Sequence, residues 1–118
     1  MSYVDGFVLP VPKKNLDAYR RLAATASVIW KEHGALEYRE CVGEDLESEG
    51  MGTTFPRALG VPSDETVVFA WIVYESREHR DQVNQKVMSD PRMTEMPDDM
   101  PFDVDRMLYG GFEAIVEA

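Results

Sequence analysis

The sequence contains very little cysteine: Cys41 is the single example among 118 residues. A disulfide framework within the chain is therefore excluded, and a lone thiol fits a reducing compartment. The sequence also lacks any apolar run near the roughly 20 residues that span a bilayer. Residues Met1 to Val11 lack the basic start of a signal peptide. We therefore expect a cytoplasmic protein with no membrane partner.

Basic residues are scarce as well. The chain has 12 Lys and Arg against 22 Asp and Glu, which gives a formal net charge of −10. Its longest basic runs, Lys13–Lys14 and Arg20–Arg21, have two residues each. Nucleic-acid-binding proteins concentrate cations, because counterion release from phosphates supplies much of their affinity. No nucleic-acid partner is therefore expected.

Motifs for metal binding and for nucleophilic catalysis are missing. There is no CxxC and no HxxxH motif, so a tetrahedral nitrogen and sulfur site cannot be assembled. The acidic segment Glu44–Glu49 lacks the ligand spacing of a calcium loop and is interpreted as a solvated loop. Cys41 with His33 or His79 could form a nucleophile and base, but no spacing joins them. We predict no metal and no cofactor.

Hydrophobic periodicity predicts four strands and two helices in the order βαβ–βαβ. The strands are predicted at Tyr3–Val11, Ala35–Gly43, Glu65–Glu75 and Met107–Val116, and the helices at Asn15–His33 and Ser76–Ser89. Pro10 and Pro12 are predicted to end the first strand. Gly6 predicts a bulge or a close approach, and Gly110–Gly111 predicts a bulge.

Two connections stand out between these elements. Residues 44–64 have no clear period, and a loop of that length is functional, contacts a partner or is mobile. Residues 93–102 are rich in Met and Pro and are also expected to form a connection.

The element order predicts one α+β domain over residues 1–118, a ferredoxin-like split βαβ with an antiparallel sheet. Two helices cover only one face of such a sheet, yet the strand around Trp71 is apolar on both sides. Each large apolar side chain left in water forgoes roughly 1.5–3 kcal/mol. Twofold contacts are self-complementary, so we expect a second copy to cover the open face and form a dimeric α/β barrel. The alternative is that the loop at 44–64 folds over this face.

Charged residues interrupt the predicted strands at Asp5, Glu37, Arg39 and Glu40. One interpretation is a polar-lined pocket inside the barrel, with a carboxylate as proton acceptor. The candidate catalytic residues are Asp5, Glu37, Glu40 and Cys41, and the candidate ligand-binding residues are Tyr38, Arg39 and Trp71. The alternative is that Glu37 and Arg39 lie in water at a strand end or pair across the dimer.

Two other groups of residues receive a structural interpretation. Asp103 and Arg106, three residues apart, are expected to pair and fix a turn. Five methionines are interpreted as gap-filling core or dimer rim: Met88, Met93, Met96, Met100 and Met107.

A set of motifs covering nearly the whole chain resembles one family of proteins. The motifs are Tyr3–Val8, Gly34–Leu36, Glu40–Cys41, Val67–Trp71, Met88–Met93, Met100–Asp103, Arg106–Met107 and Tyr109–Phe112. They are similar to the domain of unknown function 1428 family, the YbaA-like small bacterial proteins. The resemblance implies a cytoplasmic dimeric α/β barrel, akin in fold to the antibiotic-biosynthesis monooxygenases. It implies no established activity and no catalytic residues. Some members carry a label tied to signal-recognition-particle RNA, which a net charge of −10 argues against here.

The sequence is therefore compatible with two functions, and RNA association is a third that its charge makes less favourable. The first is a homodimer whose barrel interior binds a small apolar or cationic molecule without catalysis. The alternative is a cofactor-independent monooxygenase- or isomerase-like enzyme, which would use Asp5, Glu37 or Glu40 as base. In that enzyme Tyr38 and Trp71 would form the pocket wall, an assignment that rests on fold analogy.

Overall fold

The computed structural model describes residues 1–48 and 50–118, so Glu49 of the acidic segment lies outside the described residues. Within these ranges, four strands and four helices follow one another. They are β1 (Tyr3–Pro12), α1 (Leu16–Glu32), β2 (Glu37–Val42), α2 (Phe55–Leu59), β3 (Glu65–Tyr74), α3 (Arg77–Met88), α4 (Pro91–Thr94) and β4 (Leu108–Glu113). Short 3-10 turns precede α1 at Lys13–Asn15 and β4 at Val104–Arg106.

The strands form one sheet in the order β2-β3-β1-β4, and each neighbouring pair is antiparallel. The β1–β3 register runs without interruption from Tyr3 opposite Tyr74 to Pro12 opposite Glu65. The predicted α+β class with an antiparallel sheet is therefore confirmed.

The two long helices pack on the same face of the sheet, which we call the helix face. Buried apolar side chains of α1 and α3, such as Ile29 and Val83, join Ile72 and Tyr74 of β3 in one cluster. Tyr19 and Ala23 of α1 join side chains of β1 and β3 in a second cluster. Tyr19 and Ala23 belong to an apolar stripe of three- and four-residue spacing along α1, whose other members are Leu16, Ala26 and Trp30. The sheet is thus covered on this side by an amphipathic helix layer.

The opposite side of the sheet, which we call the open face, is largely uncovered. Phe69 is 44% exposed, Leu108 56% and Phe112 61%. Part of this face is covered by α2, because the ring of Phe55 packs edge-on against Phe69 at 6.1 Å. The shortest dimension of the protein is 20 Å, about the combined thickness of one helix layer and one sheet. The described residues of segment 44–64 therefore cover only a part of the open face.

The prediction that prolines end the first strand is right for Pro12, which is the last residue of β1, and wrong for Pro10, through which the strand continues. The pairing of β1 with β4 stops at Val8, so the proline-containing half of β1 lies at the sheet edge. A residue without an N–H is tolerated at an edge, since its outward-facing backbone has no neighbouring strand to bond to.

The expected bulges at the glycines are also wrong. Gly6 lies directly opposite Gly110 in a regular register, and no extra residue is inserted. The close approach expected at Gly6 is confirmed, because a Cβ there would lie 3.4 Å from the ring of Phe112, and one at Gly110 would lie 3.5 Å away. The ring of Phe112 thus lies against both glycines on the open face, at a distance at which a Cβ would make ordinary van der Waals contact.

The side-chain pairing expected within the turn before β4 is wrong. Nη1 of Arg106 lies 2.9 Å from both carboxylate oxygens of Glu65, whereas the Asp103 carboxylate accepts a bond from the backbone N–H of Asp105. Asp103 thus caps the turn, and Arg106 ties the turn to β3. Across residues 1–48 and 50–118, no helix has the length and apolar character needed to cross a membrane.

Candidate functional site

A cavity of about 520 Å³ lies between the helix face of the sheet and the helix layer. This volume is within the range of about 300–1,000 Å³ that small-molecule sites occupy. Side chains from β1, α1, β2, β3 and α3 form its walls, and the segment from α4 to β4 contributes the rest. Most of the lining is apolar, and two polar clusters interrupt it.

The first polar cluster is built around the carboxylate of Glu40. The hydroxyl of Tyr19 donates to one carboxylate oxygen at 2.6 Å, and the hydroxyl of Tyr38 donates to the other at 2.8 Å. Burial, reinforced by the negative charge of Glu40, raises the pKa of both tyrosines far above the ordinary value of 10.0. Both hydroxyls therefore stay protonated at neutral pH and hold the carboxylate in place as donors.

The second polar cluster is the buried ion pair between Asp5 and Arg80, whose atoms Oδ1 and Nη1 are 2.6 Å apart. Burial raises the pKa of Asp5, and Arg80 opposes that shift. The guanidinium also lies 5.0 Å from the centroid of the Tyr3 ring. Beside this pair, Oδ1 of Asn84 accepts bonds from Nε1 of Trp30 at 3.2 Å and from the hydroxyl of Tyr74 at 3.3 Å.

The remaining candidates of β2 lie on the open face, because successive residues of a strand point to opposite sides. Glu37 and Arg39 form an ion pair at 3.1 Å. The Arg39 guanidinium lies 5.8 Å from the ring centroid of Trp71. Cys41 is a free, half-buried thiol on the same side of the strand. The structure therefore brings Asp5, Tyr38 and Glu40 to the cavity and places Glu37, Arg39 and Cys41 on the opposite face. Trp71 also borders the cavity, although its ring lies beside Arg39 and Phe69 on the open face.

Both histidines have structural contacts instead of a cysteine partner. Nε2 of His33 lies 2.8 Å from Oδ2 of Asp90. Bonds from Arg92 and His33 hold the pKa of Asp90 far below its ordinary value of 3.8. Nδ1 of His79 accepts the backbone N–H of Glu75 at 3.0 Å. Within the described residues, no group of three or more His, Cys, Asp or Glu side chains is placed to bind a metal ion.

Several lining residues were not identified as site residues from the sequence. All five methionines of the cluster at positions 88, 93, 96, 100 and 107 line the cavity. Tyr19 carried a signal, since it lies on the apolar stripe of α1 while bearing a hydroxyl that needs a buried partner. Arg80 carried none, because its partner Asp5 is 75 residues away in the sequence.

Comparisons with known proteins agree with the resemblance. The model of the family described as "Protein of unknown function (DUF1428)" matches residues 2–104. "Uncharacterized protein YbaA" of Escherichia coli (strain K12) is 52% identical over 117 residues, which is 99% of each chain, and its counterpart in Shigella flexneri gives the same values. Among solved structures, "De novo designed protein Foldit4" matches with a TM-score of 0.48 at 11% identity, over 97% of this chain and 99% of that one. The extent of the family match and the 52% identity confirm that this chain belongs to the DUF1428 family.

Proposed function

We propose that the protein is a homodimer that binds a small molecule in the cavity between its helices and its sheet. The observation that carries the binding proposal is the cavity of about 520 Å³, with its mainly apolar wall and two localised polar clusters. Pockets of this kind bind small organic molecules, with apolar walls supplying affinity and a few polar groups fixing orientation. The lone thiol supports a reducing, cytoplasmic setting.

The open face supports the dimer. Its exposed apolar residues Phe69, Leu108 and Phe112 would leave water on association. The radius of gyration is 15.2 Å, against about 13.5 Å for a compact domain of this length, as expected for a flat layer with one side bare. The strand order β2-β3-β1-β4 with its two long helices supports the proposal of a ferredoxin-like split βαβ. Two such sheets joined through their open faces would form a dimeric α/β barrel.

Charge also favours a second copy as the occupant of the open face. The chain carries a net charge of −10, which would repel a copy if the charges were spread evenly. On the open face, however, Arg39 already neutralises Glu37. The same two residues can exchange partners across a twofold axis without leaving a charge unpaired.

Native mass spectrometry of protein purified from its own host tests the dimer and the binding together. We expect twice the chain mass of 13.4 kDa and a co-purified small molecule. Phe112→Glu should give monomers, because it places a charge from each copy on the open face, where the wild type has an exposed apolar side chain. Val28→Glu adds the same charge to an exposed position of α1 and should remain a dimer. A monomeric wild type at micromolar concentration would refute the dimer, and dimers of Phe112→Glu would refute its placement on the open face.

A neutral fluorescent reporter, N-phenyl-1-naphthylamine, tests the cavity independently of the natural ligand. Ala26 on α1 lines the cavity, whereas Ala18 on the same helix is exposed. Ala26→Trp should fill the cavity and abolish saturable binding, and Ala18→Trp should leave the dissociation constant unchanged. Equal binding by both variants would show that the reporter binds elsewhere and would contradict the assignment of the site.

A second candidate function is an isomerase-like enzyme that moves a proton of the bound molecule. Its support is the position of Glu40, a carboxylate inside the cavity flanked by two hydroxyl donors. Such an enzyme would exchange a carbon-bound hydrogen of the co-purified molecule with deuterium from D₂O, and Glu40→Gln would stop the exchange. Equal exchange by the wild type and Glu40→Gln would argue against this second candidate.

A further inference from the structure

The charge balance of the cavity points to the kind of molecule that it takes. Within the described part of the chain, the charged residues that line the cavity are Asp5, Glu40 and Arg80. Arg80 neutralises Asp5 through a contact of 2.6 Å. No Lys, Arg or His nitrogen of residues 1–48 and 50–118 lies within 4.0 Å of the Glu40 carboxylate. Among the described residues, Glu40 therefore contributes a carboxylate to the cavity wall that has no ion-pair partner within 4.0 Å.

The two tyrosines stabilise this charge without neutralising it. Each hydroxyl occupies one oxygen of Glu40, at 2.6 and 2.8 Å. A carboxylate oxygen accepts about two hydrogen bonds, so each oxygen keeps room for a further donor. The hydroxyls orient the carboxylate and leave it able to accept a bond from a molecule inside the cavity.

The two tyrosines that bond to this carboxylate each belong to an aromatic pair. Tyr19 packs edge-on against Phe102 with centroids 5.6 Å apart, and Tyr38 packs at a tilt against Trp30 at 6.1 Å. All four of these aromatic residues line the cavity. Aromatic faces attract cations through the ring quadrupole, and they do so most strongly where water is excluded. A carboxylate between two aromatic pairs is therefore a favourable position for an organic cation.

The remainder of the wall suits an apolar body attached to that cation. The lining includes Leu22, Met93, Met96 and Met107. Methionine side chains are flexible and polarizable, so they adapt to rings and branched chains of different shapes.

We propose, as a refinement that rests on the proposed binding function, that the cavity takes an organic ammonium with an apolar body. Its cationic nitrogen contacts the Glu40 carboxylate and the rings of Tyr19 and Tyr38. A neutral ligand would leave the charge of Glu40 unbalanced, and an anion would be repelled.

Four probes that share a phenyl ring and differ in charge test this assignment by isothermal titration calorimetry. They are 2-phenylethylammonium, phenyltrimethylammonium, the neutral 2-phenylethanol and the anionic phenylacetate. We expect the wild type to bind 2-phenylethylammonium at least about tenfold more tightly than 2-phenylethanol, with phenylacetate the weakest. Tight binding of phenyltrimethylammonium would assign the contact to the aromatic rings, and its loss would assign it to hydrogen bonds with Glu40. Both results support the proposal.

Glu40→Gln removes the charge and keeps the shape of the side chain. The preference for the ammonium over the alcohol should disappear in this variant and persist in Glu75→Gln, which makes the same change at an exposed position. If Glu40→Gln does not fold, the comparison of probes on the wild type still decides the question. Equal affinity of the wild type for the ammonium and the alcohol would overturn the cationic assignment while leaving the binding function in place. If neither these probes nor the neutral reporter binds saturably, both proposals fail.

Discussion

Replacing Arg80 with methionine tests how the buried carboxylate of Asp5 is held in the cavity wall. The methionine keeps much of the apolar stem but removes the guanidinium that lies 2.6 Å from Oδ1 of Asp5. The side chains of Arg80 and Asp5 are only 18% and 10% exposed. The substitution therefore leaves a largely buried anion without its cation, which is far more costly than breaking a pair at the surface.

The expected loss follows from this burial. Removing one partner of a fully buried ion pair destabilises a protein by about 3–5 kcal/mol. The residual exposure of Arg80 lets water reach the site, so we expect a free energy of unfolding lower by about 2–3 kcal/mol at pH 7. For a chain of this length that corresponds to a melting temperature lower by roughly 10 °C. Arg80 also contacts Asp81, but that carboxylate is 60% exposed, so Asp81→Asn should cost less than about 0.5 kcal/mol.

The pH dependence supplies a second readout with a definite sign. Burial raises the pKa of Asp5 above its ordinary value of 3.8, and Arg80 opposes that shift. Without Arg80 the pKa rises further, so the folded variant binds a proton more readily than the unfolded chain does. Its stability relative to the wild type should therefore recover as the pH falls from 7 to about 4. Urea unfolding at several pH values measures this difference directly.

The double variant Asp5→Asn with Arg80→Met completes the test. It should be more stable at pH 7 than Arg80→Met alone, because it carries no unpaired charge. The reasoning is refuted if Arg80→Met lies within about 0.5 kcal/mol of the wild type at pH 7. It also fails if the difference does not change with pH, or if Asp5→Asn gives no recovery.

Three further substitutions test other parts of the fold. Gly111→Ala should lower the unfolding free energy by roughly 1–2 kcal/mol in urea, because its Cβ would overlap the Tyr3 ring; unchanged stability would show that the ring moves freely. Ile29→Ala should lower the free energy of unfolding by roughly 3 kcal/mol in the same assay, since the side chain is fully buried. A decrease of less than about 1 kcal/mol would contradict that packing. Bonds from Arg92 hold the pKa of Asp90 below its ordinary value of 3.8. The ionised Asp90 therefore stabilises the fold above pH 3.8, and this stabilisation is lost as the pH falls further and Asp90 is protonated. The melting temperature of Asp90→Asn should therefore decrease less steeply than that of the wild type as the pH is lowered. Equal slopes of melting temperature against pH would refute this prediction.

The main elements of the fold could be predicted because each is long enough to show several repeats of its hydrophobic pattern. From Val67 onward, β3 alternates between two apolar faces, and its pairing places Phe69 and Trp71 on one side and Ala70 and Ile72 on the other. The helices α2 and α4 were not predicted, since they have only five and four residues. A helix of one turn shows no repeat of 3.6 residues and depends on its cap and its proline instead.

The site could be predicted only in part, for a reason that lies in β2. Alternation along this strand separates Tyr38 and Glu40 from Glu37 and Arg39, and the structure maintains that separation. The sequence does not tell which of the two sets faces the helices, because β3 beside it is apolar on both sides. Contacts between residues distant in the sequence decide which set faces the helices, above all the hydrogen bond from Tyr19 to Glu40.

The division of β2 also explains how one short strand can serve both proposed roles. Tyr38 and Glu40 point into the cavity and form its anionic centre, whereas Glu37 and Arg39 point to the open face and neutralise each other there. The two faces share the backbone of the strand, but a side chain on one face cannot contact the ligand or partner on the other. A charge that is useful for binding a cation is thereby kept on the side of the sheet away from the proposed partner. An anion left unpaired on the open face would meet its own copy across a twofold axis and oppose the dimer.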